Sequence, residues 1–211
     1  GAAKHLIVPA ARVVKFETAL ADKGVLIALA ATAHHAIAGE GATIPELIIG
    51  HGIVGRLIAR IALALNADAP LVWEKNATRR DGAVGYAVVD PADDPRRDYH
   101  AICDASGDAA VLDSLIGRLA KRGEITLAGF YETPLSFTFP PAFMREARLR
   151  IAAEWLRSDI DAVMDLIASG KLSLDGLVTN HATPGDAPHA YRTAFTDPSC
   201  LKMILDWRDA A

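Results

Sequence analysis

The chain reads as an α/β protein built on a doubly wound parallel sheet. Three observations predict this. From Thr43 onward short apolar runs alternate with longer amphipathic ones; the first short run ends in Gly50-His51-Gly52-Ile53-Val54-Gly55; and the residues after that cluster change to helical spacing.

Leu47-Ile48-Ile49 is a continuous apolar run closed by glycine, as a strand covered on both faces should be. Ile53, Val54, Leu57, Ile58, Ile61 and Leu65 then mark one stripe of a helix, with Arg56 and Arg60 assigned to its other side. Leu71-Val72-Trp73, Ala87-Val88-Val89 and Ala101-Ile102-Cys103 follow as second, third and fourth strands, Pro91 stopping the third. A helix is expected from about Ala109 to Arg122, with Lys121 and Arg122 suiting the negative pole of its dipole and Gly123 its cap. Ile125-Thr126-Leu127 is the fifth strand and Leu149 to Ala153 the sixth, and Ile160 to Ala168 is an amphipathic helix with Gly170 just past its end.

The ends fit less well. His5 to Val8 and Arg12 to Val14 read as two short strands separated by Pro9, with no helix crossing between them. Leu201 to Leu205 is a further strand candidate, expected to return and pair with them. The corresponding division is residues 1–20 as the end of another domain, 21–195 as the main α/β domain and 196–211 as a closing strand.

Composition narrows the function. The 211 residues are 51% hydrophobic and 23% charged, with a net charge of -4, the profile of a soluble globular chain. There is no positive field for a phosphate backbone, so nucleic acid is excluded as a partner. Two cysteines, Cys103 and Cys200, lack the spacing of a disulfide scaffold or a zinc site and point to a reducing, cytoplasmic setting. The uncharged stretch from Gly24 to Gly39 contains His34 and His35 and falls short of the about 18 apolar residues a membrane span needs. It reads as a buried helix.

The chemistry lies in the glycine cluster. A G-x-G-x-x-G between a strand and a helix is the fingerprint of the Rossmann dinucleotide site. Gly50 allows the sharp turn, Gly52 lets the backbone approach a pyrophosphate, and Gly55 lets helix and strand pack closely. The first-turn amides, with the helix dipole behind them, then face the phosphates. Glu74, closing the second strand, stands where an acid bonds the adenosine ribose and repels the extra phosphate of NADP, which favours NAD. Lys75, Arg79 and Arg80 follow it and read first as a solvated helix start and second as groups that could neutralise such a phosphate. Ser106, after the fourth strand, is expected on the adenosine side, and Gly129 with Phe130, after the fifth, nearer the nicotinamide. The expected cofactor contacts are thus Gly50, His51, Gly52, Ile53, Val54, Gly55, Glu74, Ser106, Gly129 and Phe130. His51 contributes its backbone, its side chain pointing to solvent, while His34 and His35 are read first as hydrogen-bonded core residues and second as members of a proton relay.

The whole chain resembles the coenzyme-binding domain and adjoining ends of the medium-chain dehydrogenase/reductases. Its opening strands resemble the end of their GroES-like catalytic domain, and Ala31-Thr32-Ala33-His34-His35-Ala36 the helix leading into the Rossmann fold. More narrowly, Arg97-Asp98-Tyr99 with Ile102-Cys103-Asp104, the stretch from Phe139 to Trp155, and Cys200 to Trp207 are similar to the bacteriochlorophyllide dehydrogenases. That resemblance implies oxidation of a hydroxyethyl group on a tetrapyrrole to acetyl with NAD as acceptor; other NAD(P)-dependent alcohol oxidation and non-catalytic cofactor binding remain alternatives. It also implies that Phe139, Phe143, Arg145 and Arg148 line the pocket for a flat, apolar, carboxylate-bearing substrate. Most of a GroES-like domain, where relatives hold zinc or a proton-relay hydroxyl, lies outside this chain. No metal is expected and no catalytic acid or base is assigned. The sequence leaves a homo-oligomer open.

Overall fold

The computed structural model describes residue 3, residues 5–10 and residues 13–208. The chain clusters into two compact units, Ile27–Ser173 and Gly1–Leu26 with Leu174–Ala211.

The larger unit is the doubly wound sheet. Its strands are β1 (Leu47–Ile49), β2 (Leu71–Trp73), β3 (Ala87–Val89), β4 (Tyr99–Asp104), β5 (Leu119–Leu127) and β6 (Arg148–Ile151). All are parallel and stand in the order β3-β2-β1-β4-β5-β6. The order reverses direction beside β1, and a crevice opens there at the carboxyl ends of the strands. The helices are α1 (Ile27–Ala38), α2 (Ile53–Ala64), α3 (Leu112–Arg118), α4 (Phe139–Arg145) and α5 (Arg157–Ala168).

Strand residues alternate between the two faces, as the pleat requires. Leu47, Ile49, Trp73, Ile102, Ile125 and Leu127 point into a core closed by Leu112, Leu115 and Ile116 of α3 and Ala142 of α4. Ile48 points the other way, toward α2. There α1 packs against both α2 and α5. At about 25 cal/mol per Å² of apolar surface removed from water, these two cores supply most of what holds the unit together.

One buried ionic knot joins α1 to α5. Asp159, 3% exposed, accepts from Nδ1 of His34 at 2.8 Å and of His35 at 2.9 Å, and from the Leu156 amide at 2.8 Å. Burial pushes its carboxyl up, but the three hydrogen bonds more than offset this and hold it below the usual carboxylate range. The histidines therefore have a structural use.

Several expectations are corrected. The helix expected from Ala109 to Arg122 is a short 3-10 turn followed by α3 ending at Arg118, because Leu119 already pairs with Tyr99 in the sheet. Lys121 and Arg122 lie on β5 and bond Glu146 rather than capping a helix. Arg56, assigned to an exposed face, is 6% exposed. The expected opening strands are not formed among the described residues, and Arg12 lies outside them. The closing strand, β8 (Met203–Leu205), pairs instead with β7 (Asn180–Ala182), in parallel, across α6 (Ala187–Thr196). Among the described residues the smaller unit thus holds this βαβ turn and the 3-10 segment Thr18–Leu26, and it takes in residues 174–195, assigned above to the main α/β domain. No helix among the described residues is long and apolar enough to cross a membrane.

Replacing Asp159 with Ala strands two half-buried imidazoles and an amide. We expect a loss of about 3 kcal/mol, roughly 10 °C in a thermal melt. A melt within 2 °C of the parent would show the knot to be dispensable.

Candidate cofactor site

The glycine cluster lies where β1 turns into α2. Gly50 has φ of +92°, a left-handed value that costs a side-chain-bearing residue 1–2 kcal/mol or about that. A Cβ there would also stand 3.2 Å from the Ser106 Cα. At Gly55 a Cβ would stand 1.9 Å from the carbonyl oxygen of Gly50, so α2 can seat on this turn only without one. Gly52 differs from both: nothing lies within 4 Å of where its Cβ would be. The absent side chain leaves open space above the amino end of α2, and no side chain caps that end. Ile53 and Val54 form its first turn, whose amides lack intrahelical acceptors.

Glu74, half-buried at the carboxyl end of β2, accepts from the His51 amide at 2.9 Å and the Asn76 amide at 2.8 Å. Opposite it, β4 ends in Asp104. This carboxylate, 1% exposed, accepts from the Ser106 amide at 2.9 Å, the Ser106 hydroxyl at 2.6 Å and the Tyr131 hydroxyl at 2.8 Å. Its backbone carbonyl takes the amides of Ala128 and Gly129. Asp104 thereby ties the loop after β4 to the loop after β5. Burial and this anion push the Tyr131 phenol well above its ordinary value, so the phenol acts as a donor.

Between these ends lies a cleft of about 330 Å³ lined by Gly50, Gly52, Trp73, Glu74, Lys75, Arg79, Ala105, Ser106, Asp108 and Val111. Lys75 reaches Asp108 at 3.1 Å. Arg80 is bonded to the carbonyls of Glu74 and Lys75 and to Asp90. Lys75 and Arg80 are therefore engaged by the protein itself.

The structure brings together Gly50, Gly52, Glu74 and Ser106 around the cleft, with Ile53, Val54 and Gly55 directly beneath. Gly129 packs on Gly107, its Cβ position 2.7 Å from the Gly107 nitrogen, and Phe130 beside it is 89% exposed. Neither lines the cleft. The His51 side chain does not face solvent or the cleft: it is fully buried, with Nδ1 2.6 Å from the Arg79 carbonyl and Nε2 2.9 Å from the Tyr86 hydroxyl.

The four residues assigned to a substrate stand elsewhere. Phe139 and Phe143, centroids 5.6 Å apart, line an apolar hollow of about 450 Å³ with Lys121 and Glu146, toward the amino ends of β5 and β6. That hollow shares no residue with the cleft. Arg145 donates to the carbonyls of Leu119 and Gly117, Arg148 to that of Arg122, and Arg150 to Thr126 and the Ala36 carbonyl. Arg145 and Arg148 thus bond backbone, while Arg150 also bonds the Thr126 side chain and lies 3.6 Å from Glu124. The spacing of arginines after an aromatic run cannot distinguish these uses. Sequence spacing did not pick out Trp73 and Asp108 as wall residues, nor Asp104 as the buried tie between the loops behind them; the signal was their place at or just past strand carboxyl ends. Among the described residues no group of three or more His, Cys, Asp or Glu side chains could hold a metal.

No protein-family model matches the chain. It is 57% identical over 210 residues to the 2-desacetyl-2-hydroxyethyl bacteriochlorophyllide A dehydrogenase of Rhodobacter capsulatus, covering 100% of this chain and 67% of the relative. Identity to the enzyme of the same name from Cereibacter sphaeroides is also 57% over 210 residues, covering 66% of that relative. The chain belongs to this dehydrogenase family. It spans about two thirds of the length of these family members. Among solved structures, a short-chain alcohol dehydrogenase of Escherichia coli complexed with NADH superposes with a TM-score of 0.81 at 19% identity, over 94% of this chain and 63% of that one. L-idonate 5-dehydrogenase of Escherichia coli superposes at 0.80 and 20%, over 94% and 61%. Both superpositions show the alcohol dehydrogenase fold.

Burial pushes the His51 imidazole down to about 4 from an unfolded value of 6.5. Between these values the unfolded chain binds the proton and the folded chain does not, so this stability is present above pH 6.5 and is lost as pH falls toward 4. We expect the melting temperature to drop across that window, His51 contributing up to about 3 kcal/mol. His51→Gln should flatten the profile there; an unchanged profile would show that His51 does not titrate this way.

Proposed function

We propose that the cleft takes the adenosine and pyrophosphate of NAD, and that the chain is the coenzyme-binding part of an enzyme oxidising the hydroxyethyl group of a bacteriochlorophyllide to acetyl. The observation that carries the cofactor reading is the open space at Gly52. It lies over the unpaired amides of α2 and between strand ends bearing Glu74 and Ser106. A diphosphate placed there meets donors and the positive end of a helix dipole, and the cradle is one a single methyl group would begin to fill.

The residues present fit the cofactor. Ile53 and Val54 would offer amides to the pyrophosphate, Glu74 would accept from the ribose hydroxyls, and Trp73 and Val111 would wall the adenosine. Glu74 supports NAD over NADP, since a carboxylate beside a second phosphate is repelled and Lys75 and Arg80 are already paired. When bound, NAD supplies the hydride acceptor for the carbinol carbon. The chain's own residues hold and orient it: Asp104 fixes the Ser106 and Gly129 loops together, and exposed Phe130 at the end of β5 offers apolar surface near the expected nicotinamide end. The tetrapyrrole substrate rests on kinship with relatives named for it; in the Phe139 to Arg148 region Arg145 and Arg148 donate to backbone carbonyls, while the Phe139 and Phe143 rings stand exposed.

Titration with NADH, followed by quenching of tryptophan fluorescence, should show saturable binding. Gly52→Val should weaken it about a hundredfold, roughly 3 kcal/mol, with the melting temperature unchanged. Unaltered affinity in that variant would refute the phosphate site. Glu74→Ala should weaken NADH more than NADPH; the reverse ranking would refute the ribose contact.

A further inference from the structure

We propose that His51 is a positioning residue for the ribose wall of the cleft, so that cofactor selectivity depends on this buried imidazole as well as on Glu74. The proposal rests on the nucleotide reading of the cleft given above and concerns the segment from Lys75 to Gly82.

That segment supplies Lys75 and Arg79 to the wall beside Glu74. None of its side chains is buried, so apolar packing does not hold it. Polar ties do. Arg80 fixes the start, through the carbonyls of Glu74 and Lys75. The return is fixed from the glycine turn: His51 Nδ1 lies 2.6 Å from the Arg79 carbonyl, while Arg56 donates to the carbonyls of Arg79 at 2.9 Å and Asp81 at 2.7 Å. Arg56 in turn holds the His51 carbonyl at 3.0 Å.

The direction of each bond follows from its partners. A carbonyl only accepts, so Nδ1 carries the proton; Nε2 is then an acceptor and receives the Tyr86 hydroxyl at 2.9 Å. Tyr86 meets the imidazole edge-on, at 84° and 5.6 Å between centroids. His51 thus works in two directions at once. Its amide aims the Glu74 carboxylate, and its ring sets the height of the Arg79 carbonyl, hence where the Arg79 side chain stands relative to that carboxylate. A ribose hydroxyl and a ribose phosphate differ in which of those two groups they need close by. Neutral imidazole suits the task, and burial keeps it neutral.

The test compares the parent chain with His51→Leu and His51→Asn, measuring ADP-ribose and 2′-phospho-ADP-ribose binding by calorimetry and hydrogen exchange at residues 76–82. His51→Leu, which removes both ring bonds, should weaken ADP-ribose about tenfold, shrink the preference over the phosphorylated form several-fold and speed exchange in that segment. His51→Asn, which restores a donor near the Nδ1 position, should recover most of each. Leu and parent chains equal in affinity ratio and in exchange would overturn the proposal. A parent chain that binds neither ligand refutes the nucleotide reading instead, and the exchange comparison then still decides whether His51 holds the segment. If His51→Leu fails to fold, Tyr86→Phe carries the test: about a threefold loss is expected, and unchanged binding and exchange overturn the proposal.

Discussion

The close seat of α2 on the Gly50 carbonyl is the constraint from which the rest of the larger unit follows. A Cβ at position 55 would stand 1.9 Å from that oxygen, so the contact exists only with a residue without a side chain at 55. It brings the amino end of α2 against the carboxyl end of β1 at the reversal of strand order. Ile48 then packs beneath the helix, α1 packs beside it, and the open space at Gly52 comes to face the strand ends carrying Glu74 and Ser106. A helix displaced by one methyl group would lose both the core contact and the aim of its first amides.

Around this seat the fold buries several charges and ties each of the following to partners of its own. Arg56 is spent on three backbone carbonyls, Asp104 on two loops, Asp159 on two histidines and an amide. Asp94, 5% exposed, accepts from Trp73 Nε1 and the Tyr99 hydroxyl, both at 2.9 Å, and Arg118 stacks over the Trp73 ring. Such groups add little net stability against apolar replacements, but removing one partner leaves a desolvated charge. They serve instead to fix irregular backbone that apolar packing does not hold: the turn after β2, the loops after β4 and β5, the start of α5. These include the segments that wall the cleft.

Membership of the bacteriochlorophyllide dehydrogenase family and the geometry of the cleft concern different halves of the chemistry. The dinucleotide proposed for the cleft does not depend on which alcohol is oxidised, since it needs only glycines, a helix end and a carboxylate. The tetrapyrrole enters through kinship at 57% identity. Of the residues that looked suited to such a substrate, Arg145 bonds the carbonyls where α3 ends and β5 begins, and the exposed rings of Phe139 and Phe143 gather at the opposite edge of the strands.

The sequence by itself determined the order and kind of the main elements, since buried strands and amphipathic helices differ in period, and it placed the glycine turn, the acid after β2 and the residue after β4. Each of these is a local property, carried by neighbours in the chain. Only the tertiary structure decided where side chains far apart in sequence meet: that Arg56 and His51 turn inward to hold residues 79–81, that His34 and His35 share Asp159, that the chain leaves α3 at Arg118, and that β8 pairs with β7. A histidine or arginine has the same sequence signature whether it faces a ligand, solvent or a carbonyl. What settles the matter is which acceptor the packed fold leaves within 3 Å, and no local pattern encodes that distance.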